Sequence, residues 1–227
     1  MARAQWCAFA QVHVARPPQT SARTFQEKSR IATERCEVKR ATFRKEIVRV
    51  AVEKLVFLDE CGFALNLHRL YGWTIGGRRC SEPVPMNKGG NRSVMGAYSL
   101  PTADNPTGLW ALWQKVGAWT GLLFEAFIEE AVLPCVPKGS VLVLDNAPIH
   151  HNPTLREKVE EAGCFLLYLP PYSPDFNPIE HVWSWIKHQV RTCAPRDDDA
   201  RKRDIYAAAK ALPPKAATGW FRNCGLS

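Results

Sequence analysis

No run of about 18 apolar residues, the length that a membrane-spanning helix needs, occurs in the 227-residue sequence. The first residues also lack the basic-then-apolar order of a secretory signal. These absences argue against a membrane or secreted protein, so we expect a cytoplasmic one. Internal repeats and low-complexity tracts are missing as well. The length and an ordinary apolar fraction of 46% suit one sizeable globular domain.

Closely spaced cysteine pairs are a further absence. The eight cysteines are scattered, and none belongs to a Cys-x-x-Cys motif. Zinc sites usually take two ligands from one tight turn, and disulfide frameworks are typical of small secreted chains. We therefore expect isolated, reduced thiols at Cys7, Cys36, Cys61, Cys80, Cys135, Cys164, Cys193 and Cys224.

Acidic residues are in the minority, with 22 Asp and Glu against 30 Lys and Arg and a net charge of +8. A positive balance suits a polyanionic partner such as nucleic acid. The excess is marked between Arg23 and Arg49, inside a stretch free of Pro and Gly that predicts a helix from about Thr24 to Val52. A solvated helical face explains these charges equally well, because both signs alternate at helical spacing. Charge alone therefore supports nucleic-acid binding only weakly.

Apolar runs predict the strands of a sheet. Residues 55–58 and 141–144 are continuous apolar runs of the kind found in buried strands. Strands first, and then strands alternating with helices, predict an α/β fold in which helices cover the faces of a mixed sheet. The other predicted strands are 63–70, 92–100, 109–116 and 165–169, and the predicted helices are 120–132 with Thr120 as N-cap, 152–162, one that Pro178 opens, and 200–212.

Two of the apolar runs end in an aspartate, Asp59 and Asp145. Ligands of open α/β sheets bind beyond the strand ends, so these carboxylates could share a divalent metal. Glu180 lies in the first turn of the helix after Pro178 and would point at the same crevice if that helix packs beside the strand ends. Oxygen ligands of this kind suit Mg²⁺.

Each acid also has a purely structural interpretation. An aspartate after a strand is common as a turn or cap residue. Asn177 as N-cap, Pro178 at the first helical position and Glu180 at the third form a capping-box pattern. Considered alone, Glu180 fits a cap better than a ligand. The metal-site hypothesis therefore depends on the three acids together with their flanking residues.

The flanking residues form three distinctive blocks: Phe57–Phe63 (FLDECGF), Leu144–His150 (LDNAPIH) and Leu169–Trp183 (LPPYSPDFNPIEHVW). The second and third acids are 35 positions apart in the numbering. These blocks resemble the catalytic blocks of the mariner-like superfamily of DDE transposases, most closely its bacterial insertion-sequence branch. The segment Gly219–Gly225 is also similar to that branch, so the resemblance runs from about residue 50 to the C-terminus.

The resemblance implies an RNase H-like fold with a mixed five-stranded sheet and helices on both faces. It implies metal-dependent DNA strand cleavage and strand transfer during transposition of an insertion sequence. Asp59, Asp145 and Glu180 would be the catalytic residues and the ligands of two Mg²⁺ ions, with Mn²⁺ as a substitute. One ion would activate water or a DNA 3′-hydroxyl, and the other would stabilise the leaving oxygen.

The resemblance also implies partners and a domain plan. The partners would be double-stranded DNA, as transposon ends and target, and a second copy of the chain, at the nucleoid of a bacterial cytoplasm. Residues 51–227 would be the catalytic domain. Residues 1–50 would be a basic leader and helix, a remnant of the DNA-binding region. Because full-length relatives carry a helix-turn-helix region there, a separately encoded helix-turn-helix subunit is a candidate partner.

Individual DNA contacts are harder to assign from the sequence. We expect phosphate contacts from basic residues as a group, and His150 could contact DNA or the acids or be structural. The basic residues are Arg69, Arg78, Arg79, Lys88 and Arg92. Two other functions stay open: an RNase H-like nuclease or resolvase, and a truncated, non-catalytic remnant that binds DNA. Intact acids at all three positions argue against the remnant.

Overall fold

The computed structural model describes residues 32–69, 71–81, 83, 86, 89–147, 150 and 152–226. Within these ranges the chain forms five strands and six α-helices. The strands are β1 Leu55–Phe63, β2 Arg92–Tyr98, β3 Leu109–Val116, β4 Val141–Leu144 and β5 Phe165–Tyr168. The helices are α1 Glu37–Ile47, α2 Gly121–Phe127, α3 Pro153–Glu161, α4 Ile179–Cys193, α5 Asp198–Lys210 and α6 Pro214–Asn223.

The strands form one mixed sheet in the order β3-β2-β1-β4-β5. The pairs β1–β2 and β2–β3 are antiparallel, whereas β1–β4 and β4–β5 are parallel. In the parallel pair of β1 and β4, Phe57 lies opposite Val143. Two residues further along this register, Asp59 comes level with Asp145, and neighbouring strands lie only about 4.8 Å apart. The central strands thus bring the first two acids together.

Helices cover both faces of the sheet, as predicted. Alternate residues of β1 point to opposite faces, so Phe57 packs into one hydrophobic core and Leu58 into the other. The first core contains buried residues of α1, α4, α5 and α6, including Trp183 and Phe221. The second contains Phe124 of α2 and buried residues of α3. Glu180, at the start of α4, therefore belongs to the layer on the first face.

Helix α1 packs into the first core through Phe43 and Ile47. It lies within the predicted helix over residues 24–52, and residues 1–31 of that leader lie outside the described part of the chain. The guanidinium of Arg40, also on α1, is fully buried. The role of residues 1–50 as a remnant of a DNA-binding region stays a prediction.

The predicted strand over residues 63–70 is wrong. Phe63 is the last residue of β1, where it lies opposite Arg92, the first residue of β2. Beyond this pair β2 offers no hydrogen-bonding partner, and residues 64–69 form turns and irregular backbone. Helix α6 is not among the predicted helices, the last of which covers residues 200–212. None of the helices among the described residues is long and apolar enough to cross a membrane.

Candidate active site

Asp59, Asp145 and Glu180 line one cavity of about 430 Å³. Asp59 comes from the central strand β1, Asp145 directly follows β4, and Glu180 lies in the first turn of α4. The cavity lies beyond the end of β4, at the edge of the sheet where the sequence predicts a ligand site. The structure thus brings the three predicted acids to one cavity from segments that are far apart in the chain.

Asp59 is held by the indole of Trp183, whose Nε1 donates a hydrogen bond of 3.0 Å to its Oδ2. Burial, and then the negative charge of Glu180, raise the pKa of Asp59 from 3.8 to about 7, although the Trp183 hydrogen bond opposes the rise. Asp145 contributes a smaller repulsion in the same direction. The site thus concentrates negative charge that a bound cation would stabilise.

Gly96 makes room for this indole. It lies on β2 directly opposite Asp59. A Cβ atom at Gly96 would come within 2.8 Å of Cη2 of Trp183, closer than real Cβ contacts allow. Glycine is therefore required at position 96, because a side chain there would collide with the ring that donates a hydrogen bond to Asp59.

Asp145 is fixed by the turn that follows β4. Its Oδ1 accepts a hydrogen bond of 3.0 Å from the backbone N–H of Ala147 and lies 2.7 Å from Nδ1 of His150. The His150 ring is buried, and its centroid lies 4.2 Å from that of Phe124 on α2, with the two ring planes tilted by 35°. The hydroxyl of Tyr168, on β5, donates to the backbone oxygen of His150. His150 therefore orients Asp145 and does not face the surface where DNA would bind.

Glu180 is not a helix cap. Helix α4 has Pro178 at its N-cap position and no side-chain cap hydrogen bond. The N–H of Asn177, which a capping box would bind to Glu180, donates to the backbone oxygen of Pro174 at 2.9 Å. Partial desolvation and the charge of Asp145 raise the pKa of Glu180, whereas Lys187 lowers it. The capping interpretation of Glu180 is therefore wrong.

The donor set fits a hard divalent cation. All three acids offer carboxylate oxygens, which Mg²⁺ and Mn²⁺ prefer. Among the described residues, no three Asp, Glu, His or Cys side chains are close enough together to form a complete metal site. The three acids thus line one cavity, but their carboxylates are not close enough together to coordinate one ion as they stand. Asn177, which lines the same cavity, is buried and its Oδ1 has no hydrogen-bond partner.

The loop between β5 and α4 forms the other wall of the cavity. Pro170, Pro171, Tyr172 and Pro174 all line it. Tyr172 has a φ of 54°, a left-handed conformation that costs a bulky residue on the order of 1–3 kcal/mol. Its side chain is nevertheless exposed, with 58% of its surface accessible. A strained, exposed tyrosine thus lies at the cavity that holds the acids.

The predicted DNA contacts separate into two groups. Arg69, Arg78 and Arg79 are exposed, which is compatible with phosphate binding, although Nη2 of Arg69 also donates to Thr192 at 2.8 Å. Arg92 is buried and forms an ion pair with Asp198 on α5. Its guanidinium is occupied in the fold, so we remove Arg92 from the proposed phosphate contacts. Lys88 lies outside the described residues.

The sequence did not indicate several residues that support the site. Trp183 packs in the core, and nothing in the sequence indicates its hydrogen bond to Asp59. Lys187 lies one heptad after Glu180 on α4, and this spacing places both on one helical face. No sequence signal links Arg40 to the site, because its partner Asp175 is 135 positions away.

Comparisons with known proteins show the family of the chain. Residues 54–201, more than half of the chain, match the family described as DDE superfamily endonuclease. The Transposable element Tc1 transposase of Caenorhabditis elegans is 32% identical over 91 residues, covering 40% of this chain and 33% of the relative. The chain thus matches about a third of the length of that curated relative.

Two solved structures show the same fold. The mariner Mos1 paired end complex with Mg has a TM-score of 0.63 at 15% identity, over 89% of this chain and 63% of that one. The catalytic domain of Mos1 mariner transposase has a TM-score of 0.54 at 14% identity, over 89% of this chain and 99% of that one. The RNase H-like fold that the sequence blocks imply is therefore confirmed.

Proposed function

Because the chain belongs to the DDE superfamily endonuclease family, we propose that it is the catalytic domain of a DNA transposase that cleaves and joins strands during transposition of an insertion sequence. The main observation behind this proposal is that Asp59, Asp145 and Glu180 line the same cavity. The resemblance of the three sequence blocks to those of mariner-like DDE transposases supports placing these acids at the catalytic positions. We assign all three as catalytic residues and metal ligands.

The neighbours of the acids have roles that follow from their contacts. Trp183 restrains Asp59, and His150 with the Ala147 amide restrains Asp145. Fixing carboxylates before the substrate arrives lowers the reorganisation that the reaction requires. Two Mg²⁺ ions, with Mn²⁺ as a substitute, would activate the attacking oxygen and stabilise the leaving oxygen of an in-line displacement.

The biological setting is the finer part of the proposal. The substrate is double-stranded DNA, as transposon ends and target, and the active form is a homodimer. Recognition of the ends falls to residues before the catalytic domain or to a separate helix-turn-helix subunit. The sequence blocks favour a bacterial insertion sequence and a protein of the nucleoid. The basic charge and the exposed Arg78 and Arg79 support a DNA partner.

Strand cleavage by purified protein tests the assignment. The substrate is a duplex made from the inverted repeat that flanks the gene, with Mg²⁺ or Mn²⁺ supplied. We expect Asp145→Asn to abolish cleavage, because it removes a charged ligand and keeps the side-chain shape. Asp104→Asn, at an exposed position in the loop before β3, is the matched control and should cleave normally. Full activity of folded Asp145→Asn would refute the assignment.

The same assay separates the two alternatives. A nuclease or resolvase with these acids would cut an RNA–DNA hybrid or a branched duplex better than the inverted-repeat duplex. A non-catalytic remnant would bind DNA without cutting any of them at any Mg²⁺ or Mn²⁺ concentration. The transposase requires preferred cutting at the end of the inverted repeat.

A further inference from the structure

The residues that line the cavity include two chemically different groups. One group is the acids Asp59, Asp145 and Glu180. The other group, which we call the apolar side, consists of Leu169, Pro170, Pro171, Tyr172 and Pro174. Its volume of about 430 Å³ falls within the range of pockets that hold whole small molecules. A nucleotide has the same division, because its phosphate is charged and its base is flat and largely apolar.

Tyr172 is the aromatic member of this apolar side, and its exposure has no structural explanation. Among the residues that the structure describes, its side chain makes no hydrogen bond and no ring contact. Tyrosine rings usually bury their apolar body in the fold or at an interface. Here the ring is 58% exposed beside a cavity, where a flat ligand could cover it.

The backbone around Tyr172 holds the ring in this position. The left-handed φ of 54° is maintained by a rigid frame, since Pro171 precedes it and Ser173 is restricted by Pro174. The buried hydroxyl of Ser173 donates to the backbone oxygen of Pro171 at 3.2 Å, closing the turn over Tyr172. Strained residues held in this way concentrate at ligand-binding sites.

We propose that Tyr172 forms a nucleobase subsite, in which its ring stacks on an unpaired base of the nucleotide next to the scissile phosphate. The subsite rests on the proposed function, because the phosphate would lie among the three acids. Aromatic side chains stack on all four bases, so this contact holds the strand without reading its sequence. An unpaired nucleotide beside the scissile phosphate has a free base face that the ring can cover.

A binding experiment with a forked duplex tests the contact between ring and base. The first unpaired nucleotide of the fork carries either a normal base or an abasic site. Affinities are measured by fluorescence anisotropy with Ca²⁺ in place of Mg²⁺, because the three carboxylates need a cation between them and the phosphate. The strands are checked for cleavage after each titration. Wild type should bind the abasic fork about 5- to 100-fold more weakly than the normal one, which is the range of a lost stacking contact.

Substitutions at Tyr172 show whether the loss of affinity for the abasic fork depends on this ring. Tyr172→Gly should bind both forks equally and as weakly as wild type binds the abasic fork. Tyr172→Phe should behave as wild type, since stacking does not need the hydroxyl. Because glycine adopts a φ of 54° without strain, Tyr172→Gly should keep or raise Tm. A residue with a purely structural role would lower Tm when replaced.

The outcomes separate the subsite from the proposed function. An equal penalty for the abasic site in wild type and in Tyr172→Gly would overturn the subsite, even if the protein cleaves DNA. Loss of self-association in place of DNA affinity would overturn it as well, since the ring would then be a protein contact. If the abasic site weakens binding by wild type but not by Tyr172→Gly, and the protein cuts no DNA, the subsite is supported and the catalytic proposal is refuted. No binding by wild type would refute both.

Discussion

Arg40 and Asp175 form a two-pronged ion pair between α1 and the loop that leads into α4. Nη1 of Arg40 donates to Oδ1 of Asp175 at 2.9 Å, and Nη2 donates to Oδ2 at 2.5 Å. The guanidinium also stacks at 3.9 Å on the ring of Phe176. The Arg40 side chain is fully buried, whereas half of the Asp175 side chain is exposed. Helix α1 thereby fixes the loop that leads into α4, whose first turn carries Glu180.

Removing Asp175 alone and removing Arg40 alone should lower the free energy of unfolding by different amounts. Asp175→Ala leaves the buried guanidinium with only the longer ion pair to Glu37, at 3.6 Å from Nε, so we expect a loss of about 2–3 kcal/mol in the free energy of unfolding. Arg40→Met leaves the exposed Asp175 to water and fills the space of the stem, so its cost should be about half as large. Urea denaturation measures both. A larger loss for Arg40→Met would contradict the account.

Asp59→Asn should stabilise the metal-free protein at high pH and not at low pH. The pKa of Asp59 in the folded state, about 7, lies above its ordinary value of 3.8, so the folded state binds the proton more tightly than the unfolded one. The stability that this proton confers is complete below pH 3.8 and is lost as the pH rises through 7. Asparagine stays neutral and can still accept from Trp183.

The expected gain for Asp59→Asn is on the order of 1–3 kcal/mol at about pH 8, falling to near zero at about pH 4. Unfolding in urea with EDTA present measures it at both values. Glu53→Gln, at an exposed position before β1, is the control and should show no such pH dependence. If the gain in the free energy of unfolding of Asp59→Asn does not change with pH, the explanation is wrong.

Gly96→Ala should damage the site through Trp183. The added methyl group would collide with the indole and displace its hydrogen bond to Asp59. We expect a loss of about 1–3 kcal/mol in stability and a roughly tenfold lower cleavage rate under conditions where the variant stays folded. Gly219→Ala is the matched control on α6, where a Cβ meets no atom within 4 Å. It should stabilise slightly and leave the rate unchanged, and an equal rate loss in both variants would count against the mechanism.

Exposed arginines that bind phosphates should increase the salt dependence of DNA affinity. If Arg78 and Arg79 contact phosphates, replacing both with Gln should reduce the slope of log affinity against log salt by about 2. Arg92→Gln should instead lower Tm, because it breaks the buried pair with Asp198. Anisotropy titrations over a range of salt concentrations and thermal melting distinguish the two effects. An unchanged salt slope in the Arg78/Arg79 variant would remove these residues from the interface.

The sequence predicted the parts of the fold that depend on local patterns. Continuous apolar runs identified β1 and β4, and the strand at 109–116 was predicted with its observed bounds. The helix over residues 120–132 is also confirmed: Thr120 caps α2 by accepting from the N–H of Leu123, and a π-helical turn, Ile128–Val132, continues it. These predictions succeeded because burial on both faces of a strand, and a cap, are visible in neighbouring residues.

Features that depend on distant partners were not predictable from one sequence. The segment 63–70 has strand-like alternation, but only the register of β2 decides that its partner ends at Arg92. The predicted helices end at residue 212, but proline is compatible with the first position of a helix, and Pro214 opens α6. The capping box at Glu180 failed because Asn177 gives its N–H to Pro174 in the preceding turn. The burial of Arg92 likewise follows from Asp198, 106 positions away.

The parallel register of β1 and β4 constrains which length changes the gene can tolerate. Adding or deleting one residue within 55–59 or 141–145 would turn an acid to the opposite face of the sheet and separate the pair. Extra residues between Phe63 and Arg92, or between Val116 and Gly121, would leave that alignment intact. The number of residues between Asp59 and Asp145 can therefore change through these loops, while the distance of each aspartate from the start of its own strand stays fixed.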